Sequence, residues 1–345
     1  MAVYLIMLFI CCVCGFFCDA NKDMKIKKIL IIVAFFSLFA VSGFRYGVGQ
    51  DFFGTYIATF EKMRSGIENV RIDYGFYLMS KLIIFLKGSS QWIFIITSLI
   101  INAFVCKSIY DQSKNKFLSL FIYICGTFFF FSLNGIRQAI TISLFYFSLK
   151  YIKEKKVFKY MALNGVGLLF HQSAIIFIPL YFFLNKRIAL KYKIILISLI
   201  ILFNTFLSTY LMSFLENTKY HIYINNGAFK PLKSLNASSI INVLLFALYE
   251  IKYKKEEGYS TIYSNVHYIG VLITLFFTSI PLAIRVFVSF RYIEFLSVPL
   301  LVADTNSRIK KILGALVVCA YLVYFLYSVY IMNGNTVLPY KSIFC

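Results

Sequence analysis

Thirteen apolar runs, cut apart by short polar turns, leave this chain almost no sequence from which to build a water-facing surface. They lie near residues 2–18, 29–44, 74–86, 91–110, 117–133, 138–152, 157–170, 172–184, 194–214, 239–251, 262–284, 286–303 and 312–332. A soluble domain carries roughly 25% charged residues, whereas here 14% are charged and 60% hydrophobic over 345 residues. The exterior must face lipid. The reading is an all-α polytopic membrane helical bundle, a single integral domain over residues 1–345 with no repeat, linker or low-complexity stretch to divide it. The net charge of +21 does not point to nucleic acid, because the basic residues sit in short clusters between apolar runs, the pattern that orients membrane proteins. Cys11, Cys12, Cys14, Cys18, Cys106, Cys125 and Cys319 lie in or at the ends of those runs, where a thiol behaves as a small apolar group, so no disulfide or metal framework is expected. No Lys or Arg precedes the first run, which is expected to remain as an anchor.

A full crossing takes about 20 residues. Six basic clusters set the orientation: Lys22/Lys25/Lys27/Lys28, Lys114/Lys116, Lys153/Lys155/Lys156, Lys186/Arg187 with Lys191/Lys193, Lys252/Lys254/Lys255, and Arg308/Lys310/Lys311. With all six in the cytoplasm, the turn Asn134–Gln138 lies outside. Residues 157–184 must then go out and return with about 14 residues per arm, too few to reach the far interface. The turn His171-Gln172-Ser173 is therefore expected in a wet pocket below the outer surface. The run Tyr74–Leu86 is short and carries Lys81, and reads as a re-entrant or interfacial helix on the outer side. The count is about twelve crossings, both termini outside, with larger outer loops at 45–73 and 215–238.

Oriented this way, the outer ends collect Arg45, Tyr46, Asp51, Asp73, Arg137, Gln138, His171, Arg285, Arg291 and Glu294. Arginine at membrane depth is costly and marks a substrate path. Arg64 and Arg71 sit in a charged loop and read as headgroup-snorkelling residues. Arg291 and Glu294 share a helical face, so an internal ion pair competes with ligand binding there. His171 stands between a core imidazole and a functional one, and His221 and His267 read as structural. Guanidinium groups hold phosphate through paired charge-assisted hydrogen bonds, and histidine is the one side chain in this set with a near-neutral pKa suited to a general base. Together they suit displacement of a lipid diphosphate by a hydroxyl. No acidic cluster or D-x-D pair occupies an outer loop, so neither a metal nor a cofactor is expected.

Four segments carry a family resemblance. GFRYGVGQDFFGTY (43–56), DYGFYLMSKLI (73–83), NGIRQAITISLFYFSLKYI (134–152) and LLFHQSAIIFIPLYFF (168–183) resemble, in order and spacing, the EpsG-like branch of the Wzy-type bacterial polysaccharide polymerases. The resemblance is close over 40–185 and looser from 190 onward. The family's acidic residue followed by Gly and an aromatic is kept at Asp73, with Tyr74 inserted before Gly75. The resemblance implies an inverting, metal-independent glycosyltransferase at the outer face of the bacterial cytoplasmic membrane, building O-antigen, capsule or exopolysaccharide. It joins two undecaprenyl-diphosphate-linked glycans, a donor and an acceptor, beside a flippase and a chain-length regulator of the same pathway. On that resemblance His171 takes the proton of the attacking hydroxyl, Arg137 and Arg285 hold the donor diphosphate, and Arg45 helps position a carrier. Asp51 and Asp73 bind sugar hydroxyls or orient arginines. Two other classes fit a multispan chain of this kind: a sugar O-acyltransferase, which needs a cytoplasmic route for an acyl donor, and a lipid-linked-sugar flippase, which favours recognisable halves and two-sided access.

Overall fold

A computed structural model describes residues 1–67, 72–216, 237–253, 258–276, 283–305 and 307–344. Arg71, His221, Lys254, Lys255 and nearly all of the loop 215–238 lie outside the described residues. Among those described, the chain is helical throughout, its one extended pairing being an isolated antiparallel bridge between Arg45 and Ser342. In order the helices are α1 (Ala2–Ala20), α2 (Met24–Gly43), a π-turn (Phe52–Ile57) continuing into α3 (Ala58–Arg64), α4 (Tyr74–Phe85), α5 (Gln91–Gln112), α6 (Lys116–Cys125), α7 (Phe128–Asn134), α8 (Ile136–Lys153), α9 (Val157–Phe170), a 3₁₀ turn (Gln172–Ile176) and α10 (Phe177–Leu184). Then come α11 (Leu190–Glu216), α12 (Ala237–Lys252), α13 (Tyr259–Phe276), α14 (Ala283–Arg291), α15 (Glu294–Ala303) and α16 (Ser307–Phe325).

Among the described residues, five helical stretches have the length and composition to cross a membrane: Ala2–Ala20, Met24–Gly43, Gln91–Gln112, Arg285–Ala303 and Arg308–Ile331. The bent pair α6–α7 makes a sixth when counted as one span. The outward side chains agree: Leu202 and Phe206, one turn apart on α11, are 74% and 70% exposed, a surface tolerable only in lipid. Where the sequence reads one undivided domain, the helices gather into two compact units, Met1–Pro179 with Glu294–Cys345, and Leu180–Ile293.

In the first unit, polar contacts sort the helix ends into two groups. At one end Asp19 accepts hydrogen bonds from the Lys116 and Phe117 amides at 2.9 Å each, capping the start of α6 together with the Asn115 side chain. Lys150 pairs with Asp111 at 2.6 Å and Gln112 donates to the Tyr146 carbonyl at 2.8 Å, so α5 and α8 finish together beside the turn Glu154–Lys156. This end holds the first three basic clusters. At the other end Gln91 donates to the Gly43 and Arg45 carbonyls, Tyr4 to Val337, and Asn134 to Asn335. Arg45, Arg137 and the His171 turn lie here, opposite the lysines.

The helix α4 is short and begins and ends at the Arg45 end of this unit. Its 12 residues span about 18 Å, its start packs on the end of α9, and the short turn after it leads into Gln91, tied to this same end. Two apolar runs prove to be broken. The run 117–133 bends by 46° at Gly126–Thr127, where Thr127 adopts φ +73° and both amides bond back into the last turn of α6. The run 286–303 is interrupted at Tyr292–Ile293, between α14 and α15.

The second unit buries a polar knot. Lys193 pairs with Glu250 at 2.8 Å and donates to Asn265, Ser264 donates to Glu250, and Asn265 reaches the Leu184 and Lys186 carbonyls. His267 is fully buried with its Nδ1 at 2.8 Å from Asn242, a core imidazole as its sequence setting suggests.

A topology test follows from the two ends. In a Cys319→Ser/Cys345→Ser background, Gln172→Cys should react with a membrane-impermeant thiol reagent applied from outside, and Glu154→Cys only after the membrane is opened. The reverse pattern would invert the assignment of both ends.

Candidate functional site

Three helix ends meet where Arg137 stands. Gly75, in the first turn of α4, faces the Leu169 carbonyl of α9 so closely that an added Cβ would lie 3.0 Å from that oxygen. Thr141, one turn into α8, donates from Oγ1 to the Arg137 and Gly167 carbonyls at 3.1 Å each, and Gly167 also accepts the His171 amide at 3.0 Å. The two helices run antiparallel, so Arg137 and His171 each lie one turn, about 6 Å, beyond the Thr141–Gly167 contact, in the same direction and level with one another. Asp73, just ahead of α4, forms an ion pair with the Arg137 Nη1. Both are part-buried, the Arg137 side chain 27% exposed and Asp73 16%. Asp73 does not cap its own helix; its carboxylate is given to Arg137.

Arg45 turns inward rather than toward Arg137. It is fully buried and donates from Nε to Val48 (3.2 Å), from Nη1 to Ser42 (2.7 Å) and from Nη2 to Leu133 (2.8 Å), all carbonyl oxygens, with its guanidinium 4.9 Å from the centre of the Phe94 ring. Burial pushes its pKa down to about 10, so it keeps its charge at neutral pH. The loop after it is shaped to match. Gly49 has φ +100°, and a Cβ there would lie 2.7 Å from the Asn134 Oδ1. That same oxygen accepts the Asp51 amide at 3.4 Å.

Tyr56 was not singled out by the sequence, although it closes the first motif. Its hydroxyl donates to the Asn134 carbonyl at 2.6 Å and accepts the Ile136 amide at 3.1 Å, pinning the turn from which α8 and Arg137 begin. Burial raises its pKa, so the phenol stays neutral and can do both. Asp51 accepts from Thr55 at 3.5 Å. Tyr46 is half-exposed at the rim, its ring edge-on to Phe52 and Phe53. Gln138 is buried on α8 next to Arg137.

His171 ends α9 and begins the 3₁₀ turn in extended conformation, φ −157° and ψ 130°. Its Nδ1 accepts the Ser173 amide at 3.2 Å and lies 2.8 Å from Ser173 Oγ. The imidazole thus caps the turn that follows it, as Asp or Asn do elsewhere. Ser173 was visible in the sequence only as the small polar residue after the histidine.

Of the remaining expected residues, Glu294 is buried in the first unit and accepts the Tyr321 hydroxyl at 2.6 Å. Arg285 and Arg291 belong to the second unit. Arg285 is exposed in the first turn of α14, and Arg291 is buried, its guanidinium 5.5 Å from the centre of the Tyr292 ring.

An all-helical chain with several spans and a recessed cluster of Arg, Asp and His at one helix end defines a multi-pass membrane protein with a polar site. The chain belongs to the EpsG family, which matches residues 28–342. No curated protein and no solved structure matches it. The family places the chain among membrane proteins with a polysaccharide polymerase-like role.

Arg45 is the residue whose loss should unfold this end. Arg45→Lys keeps a charge but replaces three nitrogens spread over a planar fork by one, so the three buried carbonyls are no longer all met in line, which should cost on the order of 3 kcal/mol and lower the melting temperature of the detergent-solubilised protein. A melting temperature equal to wild type would remove Arg45 from this role.

Proposed function

We propose that the chain is a Wzy-type polymerase that joins undecaprenyl-diphosphate-linked repeat units on the outer side of the cytoplasmic membrane, with the lysine-rich end of the first unit in the cytoplasm, about twelve crossings and both termini outside. The observation that carries this reading is Arg137: a guanidinium at the meeting of three helix ends, held by the Asp73 carboxylate and part-open to solvent. Along α8 it lies 16 residues, about 24 Å, from Lys153, less than the roughly 30 Å of a hydrocarbon core. A diphosphate anchored by a prenyl tail reaches such a depth; a free sugar nucleotide is not confined there.

The donor diphosphate takes Arg137, whose fork fits paired phosphate oxygens. The acceptor's hydroxyl attacks the anomeric carbon, its bond to the diphosphate oxygen breaks, and inversion follows. Arg137 stabilises the charge that develops on the leaving diphosphate, a role for which no metal is required. Tyr46 and Phe53, both about half-exposed, offer apolar faces for sugar rings, and Asp51, next to Phe52 and Phe53 in the chain, is a partner for sugar hydroxyls.

Arg137→Lys should abolish long-chain polymer and leave single-repeat glycan in place, with a loss of at least about 100-fold, while the amount of protein in the membrane stays normal. Lysine working as well as arginine would make residue 137 an orientation charge. Polymerisation by the purified protein should also survive a strong chelator; activity that vanishes with chelator and returns with magnesium or manganese would replace arginine by a metal in leaving-group stabilisation.

A further inference from the structure

The geometry points to Asp73 as the group that takes the proton of the attacking hydroxyl once a diphosphate has displaced it from Arg137, with His171 serving as a hydrogen-bond donor; we propose this as a refinement that rests on the polymerase reading above.

The hydrogen bonds of His171 decide its tautomer. A backbone N–H can only donate, and the Ser173 amide donates to His171 Nδ1. That nitrogen therefore carries a lone pair, and in the neutral ring the proton sits on Nε2. For Nε2 to act as a base, the proton would have to sit on Nδ1, where it would confront the Ser173 N–H donor to donor. The 3₁₀ turn after His171 is built on the first arrangement. Held this way, Nε2–H is suited to an oxygen of the diphosphate or sugar, not to an incoming proton. Ser173 Oγ lies 2.8 Å from the same Nδ1, a contact that fits this tautomer with the hydroxyl as donor.

Asp73 has the opposite properties. It opens α4 but gives no side-chain bond to that helix, so among the described residues its carboxylate is committed through Arg137. The close packing of Gly75 on Leu169 sets it two residues from a contact that lies two residues from His171. Arg137 is then a shared cation. With no substrate it belongs to Asp73. When a diphosphate claims it, the carboxylate is released beside the reacting centre with its lone pairs open.

The step balances without a further reagent. The acceptor O–H proton passes to a carboxylate oxygen of Asp73, the hydroxyl oxygen forms the new bond to the anomeric carbon, and the old C–O bond breaks with its electron pair leaving on the diphosphate. Asp73 returns its proton to water, and its carboxylate recovers Arg137 as the product diphosphate departs.

Asp73→Asn, Asp73→Glu, His171→Gln and His171→Ala separate these roles by two measurements, binding of undecaprenyl diphosphate to the detergent-solubilised protein and polymer length in the producing cell. Asp73→Asn should bind undecaprenyl diphosphate at least as tightly as wild type, since a competitor for Arg137 is gone, yet lose polymerisation by about 100-fold or more. Asp73→Glu should recover part of it. His171→Gln, which retains an N–H donor, should polymerise at least about tenfold better than His171→Ala. Polymerisation by Asp73→Asn within about threefold of wild type, or loss of binding together with turnover, would overturn the assignment of Asp73. His171→Gln as poor as His171→Ala would overturn the donor role. Failure of the polymerase reading itself looks different, because Arg137→Lys would then leave both binding and polymer length normal whatever the residue at 73.

Discussion

One buried cation ties this end of the first unit together. An arginine at membrane depth is expensive unless its donors are met, and Arg45 meets them with carbonyls that helices α2 and α7 leave unpaired at their C-terminal turns, Ser42 and Leu133. Those turns carry the negative ends of the helix dipoles, so the charge is favoured as well as bonded. The Phe94 ring of α5 covers the guanidinium. Three helices are thus stopped at one level by a single side chain. The consequence runs along the chain: Leu133 precedes Asn134, whose backbone and side chain receive Tyr56 and Asp51, and two residues later α8 starts with Arg137 in its first turn. A residue that touches nothing outside the fold thereby sets where the site's cation stands.

Depth follows from the same arrangement. The helices α8 and α9 share a lysine-rich turn, and neither is long enough to bring its far end to the opposite edge of a bilayer of ordinary thickness. The polar groups at that end therefore need water or ligand, and their mutual bonds supply only part of it: the Asp73–Arg137 pair satisfies one guanidinium nitrogen. Polar residues so placed in a membrane chain are expected to be functional rather than structural, and they stand in contrast to Lys193 and Glu250, which are nearly fully enclosed and bonded to Asn265 and Ser264.

Much of this was legible in the sequence because membrane rules are strong. Apolar run length and lysine placement suffice to put Arg137 and His171 on one level and the first three basic clusters on the other, and the shortness of Tyr74–Leu86 agrees with a helix that begins and ends at the Arg45 end. Arg45 was harder to read. An arginine among glycines at a helix end has the same local sequence whether it faces a ligand or turns inward, and only the carbonyl at Leu133, 88 positions away, decides between them. Tyr56 and Thr141 escaped notice for a related reason: both act on backbone atoms of distant segments, and backbone atoms leave no mark on residue type. The break at Gly126–Thr127 was hidden by the apolar pattern on both sides, which continues unchanged through it. On the proposed reading the role of His171 turns on something finer still, which of its two nitrogens the Ser173 amide reaches.

On the proposed reading the Asp73–Arg137 pair is broken before catalysis, so a diphosphate competes with a carboxylate already in place. In a membrane the alternative is worse. A lone guanidinium in a part-buried site carries a desolvation cost in the empty protein, whereas the pair keeps that state near neutral. Binding then exchanges one anion for another of higher charge, and the affinity is the difference between the two. Such a difference is smaller than the full attraction between arginine and diphosphate, and on the proposed reading that is an advantage. After transfer the product is a prenyl diphosphate with the same phosphates as the substrate, and a site that held them with all of its binding energy would release it slowly. Asp73 returning to Arg137 supplies the opposing pull, so the carboxylate acts at both ends of the cycle, accepting a proton while the diphosphate is bound and displacing that diphosphate when the sugar has gone.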